Sequence, residues 1–421
     1  MDEQQYLEHG LTRTREAARE LAGCADPSIR EVLYSLADRA LEACDDILAA
    51  NRLDLARMPE SDPKYDRLLL NRERLEAITA DLRFVADLPS PVGEILEQRR
   101  LENGLELSKV RVPMGVIAVI FESRPNVTFD VFALCLKTRN ACVLKGSSDA
   151  HDTNTVIVGL MREVLEAHGV DSAVVFLAPP QREYLPAILQ ATGYIDLAIP
   201  RGSKGLIDFV RDNSRVPVIE TGAGIVHTYV HASADLDKAR DIITNAKTRR
   251  VSVCNALDTL VLDRTLLPEL PGLLKAMGEE HGVEVFADPE SFDALEGHYA
   301  GVLNRAEEEH FGQEFLSLRM SIKTVAGLEE ALDHVHHHSS KHSEAIVAED
   351  PGVIEQFLNQ VDAAAVYATT STAFTDGGQF GMGAEIGIRT QKLHARGPMA
   401  LPELNSYKWV VRGDGQVRAG S

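Results

Sequence analysis

A chain of 421 residues, 44% hydrophobic and 25% charged, has the balance of a folded globular protein and is long enough for two or three domains rather than one core. Its formal charge of -21 at pH 7 repels phosphate backbones and anionic bilayers, which excludes nucleic acid and membrane surfaces as natural partners. Five cysteines, at 24, 44, 135, 142 and 254, are odd in number and form no C-x-x-C pair, which argues against a disulfide framework or a cysteine zinc site and for a reducing, cytoplasmic setting.

The first five residues lack the basic and then apolar pattern of a secretion leader, and no apolar run reaches membrane-spanning length. Two or three amphipathic helices are expected before residue 90. Ile29, Val32, Leu33, Leu36, Ala40, Leu41, Ile47 and Leu48 recur at three and four, and Leu68, Leu69, Leu75, Ile78, Leu82 and Val85 do so again. Pro89 and Pro91 end this block.

From Gln98 to Val112 the apolar residues tend to alternate, and Asn103-Gly104 supplies a tight turn, so a β-hairpin is expected. Between Gly115 and Ile219 continuous apolar strands (116–121, 141–144, 174–177, 197–199 and 216–219) alternate with helices beginning near 128, 153 and 203. Such strands belong to a parallel sheet covered on both faces, the doubly wound α/β architecture. A second, smaller α/β unit is expected after Cys254, with strands at 259–262, 283–287, 322–325 and 344–347 and helices at 267–281 and 328–337. Residues 369–402 are rich in glycine and hydroxyl groups and read as loops folding back over a site. A second ribbon around Gly413-Asp-Gly415 matches the first hairpin. The two either pair across a subunit interface or form solvent-facing edges of one sheet.

The segment Asn245-Ala-Lys-Thr-Arg-Arg-Val-Ser-Val-Cys-Asn255 delivers a cysteine to the start of an apolar strand. Only the thiolate attacks carbonyl carbon, and Lys247, Arg249 and Arg250 lie close enough along the chain to favour it. Cys254 is therefore a candidate nucleophile, a buried structural thiol being the alternative. His334, His336, His337, His338 and His342 crowd the end of a predicted helix, where neighbouring side chains diverge, so no metal is expected there. The chain has no G-x-G-x-x-G, no G-x-x-x-x-G-K-[ST], no H-E-x-x-H and no G-x-S-x-G. Four segments, 122–128, 144–148, 199–204 and 219–224, fall at strand ends on what would be one edge of the sheet, where ligands of doubly wound folds bind. Lys145 followed by glycine and serines suits a phosphate or ribose, and Arg201-Gly-Ser-Lys204 leads into a helix start suited to a pyrophosphate.

Together, Val112-Pro-Met-Gly-Val-Ile-Ala-Val-Ile-Phe-Glu-Ser-Arg-Pro-Asn-Val-Thr128, the 245–255 segment, Thr375-Asp-Gly-Gly-Gln-Phe-Gly-Met-Gly-Ala-Glu385 and Thr390-Gln-Lys-Leu-His-Ala-Arg-Gly-Pro398 resemble the gamma-glutamyl phosphate reductase family. This is the proline-biosynthesis branch of the aldehyde dehydrogenase superfamily, and the resemblance runs over nearly the whole chain. It implies an aldehyde-dehydrogenase-like fold. Residues 1–97 and 113–250 would form an NADPH domain, 251–370 a catalytic domain and 371–403 active-site loops, with 98–112 and 404–421 as oligomerisation hairpins. It implies NADPH-dependent reduction of L-glutamyl 5-phosphate, the alternative being oxidation of an aldehyde with NAD by another superfamily member. Carried over by position, Cys254 is the nucleophile and Asn126 an oxyanion donor. Lys145, Gly202, Ser203, Glu220 and Glu314 meet the cofactor. Glu220 matches the superfamily's general base, but a reductase that releases aldehyde hydrolyses nothing, which leaves it a positioning group. The substrate is doubly anionic, so Arg124, Lys392, His394 and Arg396 are expected to line its pocket. A homodimer or homotetramer is implied, with glutamate 5-kinase as a candidate partner.

Overall fold

The N-terminal periodicity folds, among the described residues, into helices Glu3–Leu21, Asp26–Glu42, Cys44–Leu55 and Arg72–Asp87, with a single turn at Tyr65–Leu68. These are more helices than expected. The first is hard to read because its buried stripe is thin: beside Leu7, Leu11 and Leu21 it presents Gly10, Ala17 and Ala18. The small residues are there for contact, since a methyl at Gly10 would lie 2.1 Å from the Phe176 ring. Asp2 and Gln5 close a capping box at its start.

The computed structural model describes residues 2–62, 64–220 and 222–418. Thr221, within one of the strand-end segments, and residues 419–421 of the closing ribbon lie outside the described residues. The chain divides into one unit of Met1–Thr221, Met382–Gly387 and Met399–Ser421, and another of Gly222–Gly381 and Ile388–Pro398.

In chain order the strands are β1 (Ile95–Arg100), β2 (Glu106–Pro113), β3 (Val116–Phe121), β4 (Ala141–Lys145), β5 (Val175–Leu177), β6 (Leu197–Arg201), β7 (His227–Val230), β8 (Thr259–Asp263), β9 (Glu284–Ala287), β10 (Leu303–Arg305), β11 (Arg319–Val325), β12 (Ser343–Val347), β13 (Ala365–Ala368), β14 (Ile388–Arg389), β15 (Gly397–Pro398) and β16 (Asn405–Arg412). The first unit holds the parallel sheet β5-β4-β3-β6. Its strands are buried almost throughout, as continuous apolar runs require, and Phe121, Phe129 and Phe132 fill its core. Burying each such side chain contributes about 1.5–3 kcal/mol. Residues 216–219 make only a bridge to β6, Ala198 to Val218, and not a full strand.

The second unit holds the parallel sheet β10-β9-β11-β8-β7-β12-β13. The division between units falls at 221/222 and not at 250/251, because β7 pairs with β8 and β12 inside this sheet. The helix expected over 267–281 is broken into Arg264–Glu269, Leu270–Leu273 and Lys275–Glu279. Pro268 and Pro271 remove the N–H groups a continuous helix needs. The expected 371–403 segment is divided: 388–398 belongs with the second unit, where β14 and β15 pair, and 382–387 and 399–403 with the first.

β1 and β2 pair antiparallel across a turn in which Gly104 has φ +87°. Among the described residues the closing ribbon forms no second hairpin strand after Gly413-Asp-Gly415. β16 is one strand pairing antiparallel with β2, which makes a three-stranded sheet β1-β2-β16. No helix among the described residues is long and apolar enough to cross a membrane.

Candidate active site

In the first unit β4, β3 and β6 are parallel neighbours, so the segments beginning at Gly146, Glu122 and Gly202 leave the same edge of one sheet. Ser123 sits at φ 36°, a left-handed conformation uncommon outside glycine. It is held there by its N–H to Ser147 Oγ at 3.2 Å and by its Oγ to Asp149 Oδ2 at 2.7 Å. The forced turn aims the start of helix Pro125–Lys137, with Pro125 at its first position and Arg124, half-buried, at its cap. Asn126 is half-buried on the first turn, and its Nδ2 donates to Asp130 Oδ2 at 3.2 Å. That bond uses one of two amide hydrogens and orients the other. Burial pushes Asp130 up to about 6, against the pull of Arg201.

Lys145 ends β4, buried, with Nζ donating to Pro180 O at 2.8 Å and Gly146 O at 3.1 Å, and burial lowers its pKa to about 8. Two protons are engaged and a third donor remains for a ribose or phosphate, so this position fits a nucleotide. The fit differs at the helix start after β6. Ser203 caps helix Lys204–Asn213, but its N–H donates to Glu122 Oε2 at 2.8 Å and its Oγ to Glu122 Oε1 at 3.2 Å. The chain's own carboxylate thus takes the place expected for a pyrophosphate. Gly202 is pressed against the same group, since a methyl there would lie 2.6 Å from Glu122 Oε2. Glu220 lies 3.7 Å from Arg211.

In the second unit Cys254 is half-buried in the turn between helix Leu236–Thr248 and β8. The turn is clamped at its base: Leu257 N donates to Ala246 O at 3.0 Å, and Lys247 Nζ to Leu257 O at 2.7 Å. Lys247 is fully buried, and burial lowers its pKa to about 8. Through its bond to Leu257 O it braces the loop. Arg249 and Arg250 are exposed. Asn255 Nδ2 donates to Ala373 O and Thr375 O at 3.3 and 3.0 Å, and Thr372 Oγ1 donates back to Asn255 O at 2.8 Å.

Asp258, which the sequence reading missed, is buried just before β8 and accepts from Val226 N at 3.3 Å and Phe315 N at 3.0 Å. Burial pushes it up to about 7 although Lys247 pulls the other way. Its signal was slight: one acidic residue immediately ahead of an apolar strand. Glu314 accepts from Gly224 N at 2.9 Å, and burial raises its pKa. Gly224 packs directly on the Cys254 peptide, since a methyl there would lie 1.6 Å from the Cys254 carbonyl oxygen.

Two basic residues of 388–398, Lys392 and Arg396, converge on a carboxylate that sequence reasoning also missed. Asp362 takes Arg396 Nη1 at 2.6 Å, Lys392 at 3.0 Å and Lys341 at 3.6 Å, and Arg396 holds it down to about 2. Arg396 Nε also donates to Thr390 O at 2.9 Å. His394 is exposed in the loop between β14 and β15, with φ 67°.

The histidine cluster is mostly packing. The buried ring of His334 stands edge-on to His227 and Phe311, with His338 at 4.6 Å, and burial lowers its pKa to about 2. His342 is buried against Ser343. Among the described residues no group of three side chains is arranged to hold a metal ion.

No family model matches the chain. It is 58% identical to a gamma-glutamyl phosphate reductase of Pelodictyon phaeoclathratiforme over 97% of its own length and 98% of that protein's. The crystal structure of gamma-glutamyl phosphate reductase from Thermotoga maritima superposes with a TM-score of 0.95 at 39% identity, covering 99% of this chain and 100% of that one. An acetylating aldehyde dehydrogenase from Geobacillus thermoglucosidasius shares the fold, at a TM-score of 0.69 and 19% identity over 99% of this chain and 98% of that one.

Proposed function

The chain belongs to the gamma-glutamyl phosphate reductases, and from that premise we propose that it reduces L-glutamyl 5-phosphate to L-glutamate 5-semialdehyde with release of phosphate, the second step of proline biosynthesis from glutamate. The observation that carries the reading is Cys254, half-buried on a turn clamped at its base and braced from behind by Gly224. A side chain held at a fixed, half-buried position on a braced turn supports a nucleophilic role over filling the core.

The Cys254 thiolate attacks the acyl carbon and inorganic phosphate departs, leaving a thioester on sulfur. NADPH, when bound, supplies the hydride that turns this thioester into a thiohemiacetal. The thiohemiacetal, as its tetrahedral alkoxide, collapses to the semialdehyde and releases the sulfur as the thiolate, ready for the next turnover. The tetrahedral species on Cys254 carry an oxyanion, and the proposed donors to it are the Cys254 N–H and, from the family resemblance, the Asn126 amide. Asp130 supports that role for Asn126 by fixing its amide.

Lys145, Gly202, Ser203, Glu220 and Glu314 would hold the cofactor. Binding a phosphate at Ser203 requires Glu122 to give up its N–H, so Lys145 and Glu314 are the stronger anchors. Glu220, paired with Arg211, acts in positioning. Arg124 and His394 are proposed to meet the substrate's anionic groups. Arg396, bonded to Asp362 and Thr390, shapes the loop that carries Lys392 and His394.

The three-stranded sheet, with Tyr407, Trp409 and Val411 exposed along β16, supports assembly into a homodimer or homotetramer. Cys24, Cys44, Cys135 and Cys142 are thiols, in keeping with the cytoplasm. The acyl phosphate must come from a phosphoryl-transfer enzyme acting on glutamate, the role of glutamate 5-kinase. The test is run in reverse: purified protein with the semialdehyde should reduce NADP only when inorganic phosphate is present. Reduction without phosphate would make it a hydrolytic aldehyde dehydrogenase instead.

A further inference from the structure

Four consecutive backbone N–H groups ahead of and into β7 donate to side chains. Gly224 donates to Glu314 Oε1 at 2.9 Å, Ile225 to Ser340 Oγ at 2.8 Å, Val226 to Asp258 Oδ2 at 3.3 Å and His227 to Glu344 Oε2 at 3.0 Å. Each acceptor comes from a different part of the second unit: the loop after the turn Glu308–Gly312, the end of helix Leu328–His338, the entry to β8, and β12. Such a run leaves the segment almost no freedom to slide.

The first residue of this strap is the one pressed against the nucleophile. With 1.6 Å between a hypothetical Gly224 methyl and the Cys254 carbonyl oxygen, the two peptides are in direct contact, and a shift of one moves the other. We propose that Glu314 is a positioning residue for Cys254, acting through the Gly224 N–H, so that one carboxylate serves both the cofactor and the placement of the nucleophile. Only Oε1 is engaged by Gly224, which leaves Oε2 to receive a ribose hydroxyl. A cofactor that reaches Glu314 is thereby linked through one hydrogen bond and one backbone contact to the reacting sulfur.

The proposal rests on the reading of Cys254 as nucleophile, but it is testable without turnover. Amide hydrogen exchange is followed by mass spectrometry in the peptide spanning residues 251–257 of the full chain, with neither cofactor nor substrate, for the parent, Glu314→Ala, Glu314→Gln and Gly224→Ala. Glu314→Ala should speed exchange in that peptide about tenfold, the size of losing a hydrogen bond to a charged acceptor, while Glu314→Gln, which keeps a carbonyl oxygen, should stay near the parent. Gly224→Ala should speed it as well, and if that variant does not fold the Glu314 pair still decides. Parental exchange in Glu314→Ala, or equal acceleration in Ala and Gln, overturns the proposal. Loss of the reductase reading alone would show instead as unimpaired turnover by Cys254→Ala.

Discussion

At the scale of single residues, a sulfur and an amide carry the proposed chemistry, and they should fail differently. Cys254→Ser leaves a hydroxyl too weakly acidic to attack, so turnover should fall to background while NADPH binding, read by fluorescence, is kept. Asn126→Ala removes one oxyanion donor and should lower kcat by about 10²–10³ with little change in KM, because the lost bond exists mainly in the transition state. Charge reversal at Arg124 should raise KM for the acyl phosphate far more than for NADPH, and equal effects would refute its assignment to the substrate.

Asp258 makes a prediction of the opposite kind, on stability. Its folded pKa is about 7 against an ordinary carboxylate value of 3.8, with burial as the cause. Between those values the folded state binds more protons than the unfolded state, so its contribution is fully present below pH 4 and is lost as pH rises through 7. Urea unfolding of the parent should therefore show a component that declines from pH 4 to 7, by up to about 1.4 kcal/mol per unit, and Asp258→Asn should remove it. Cys254 draws notice in the sequence because Ser252 and Asn255 set polar groups beside it just ahead of an apolar strand. The burial of Asp258 and Lys247 leaves no such signal, because burial is a property of the fold and puts no mark on a lone acidic or basic residue.

Among the elements, what could be read depended on how far the partner lay along the chain. β3, β4 and β6 announce themselves by continuous apolar runs, since both their faces are covered. β7 is just as buried but reads His227-Thr-Tyr-Val230, and its polarity makes sense only once Glu344 of β12 is found 3.0 Å from the His227 ring. β16 looked like half of a hairpin because its real partner, β2, lies about three hundred residues earlier. The hairpin β14–β15 shows the same dependence: Lys392 and Arg396 read as a free basic pocket until Asp362 is placed between them. Asp362→Asn should loosen residues 388–398, seen as faster trypsin cleavage at Lys392 in the native protein. Because the pairs are partly exposed, the global stability loss should stay near 1 kcal/mol or less.

For the molecule as a whole, a charge of -21 keeps copies apart, so any specific assembly must be driven by a local apolar surface. The sheet β1-β2-β16 offers one. Tyr407, Trp409 and Val411 stand on alternate positions of β16, hence on one face, and are 51%, 43% and 54% exposed. Lys109 lies 3.8 Å from the centre of the Tyr407 ring and Arg99 5.9 Å from that of Trp409, so the face is ordered by cation–π contacts as well as by strand pairing. Ordered, aromatic and rimmed with charge is the composition of an interface core, and a stable one buries upward of about 1,000 Å². Sedimentation should find the parent as a homo-oligomer and the double variant Trp409→Glu, Val411→Glu as a monomer. The variant's far-ultraviolet circular dichroism should be unchanged, because both side chains already stand clear of the protomer's own core. A parent that sediments as a monomer at micromolar concentration would remove the three-stranded sheet from any role in assembly.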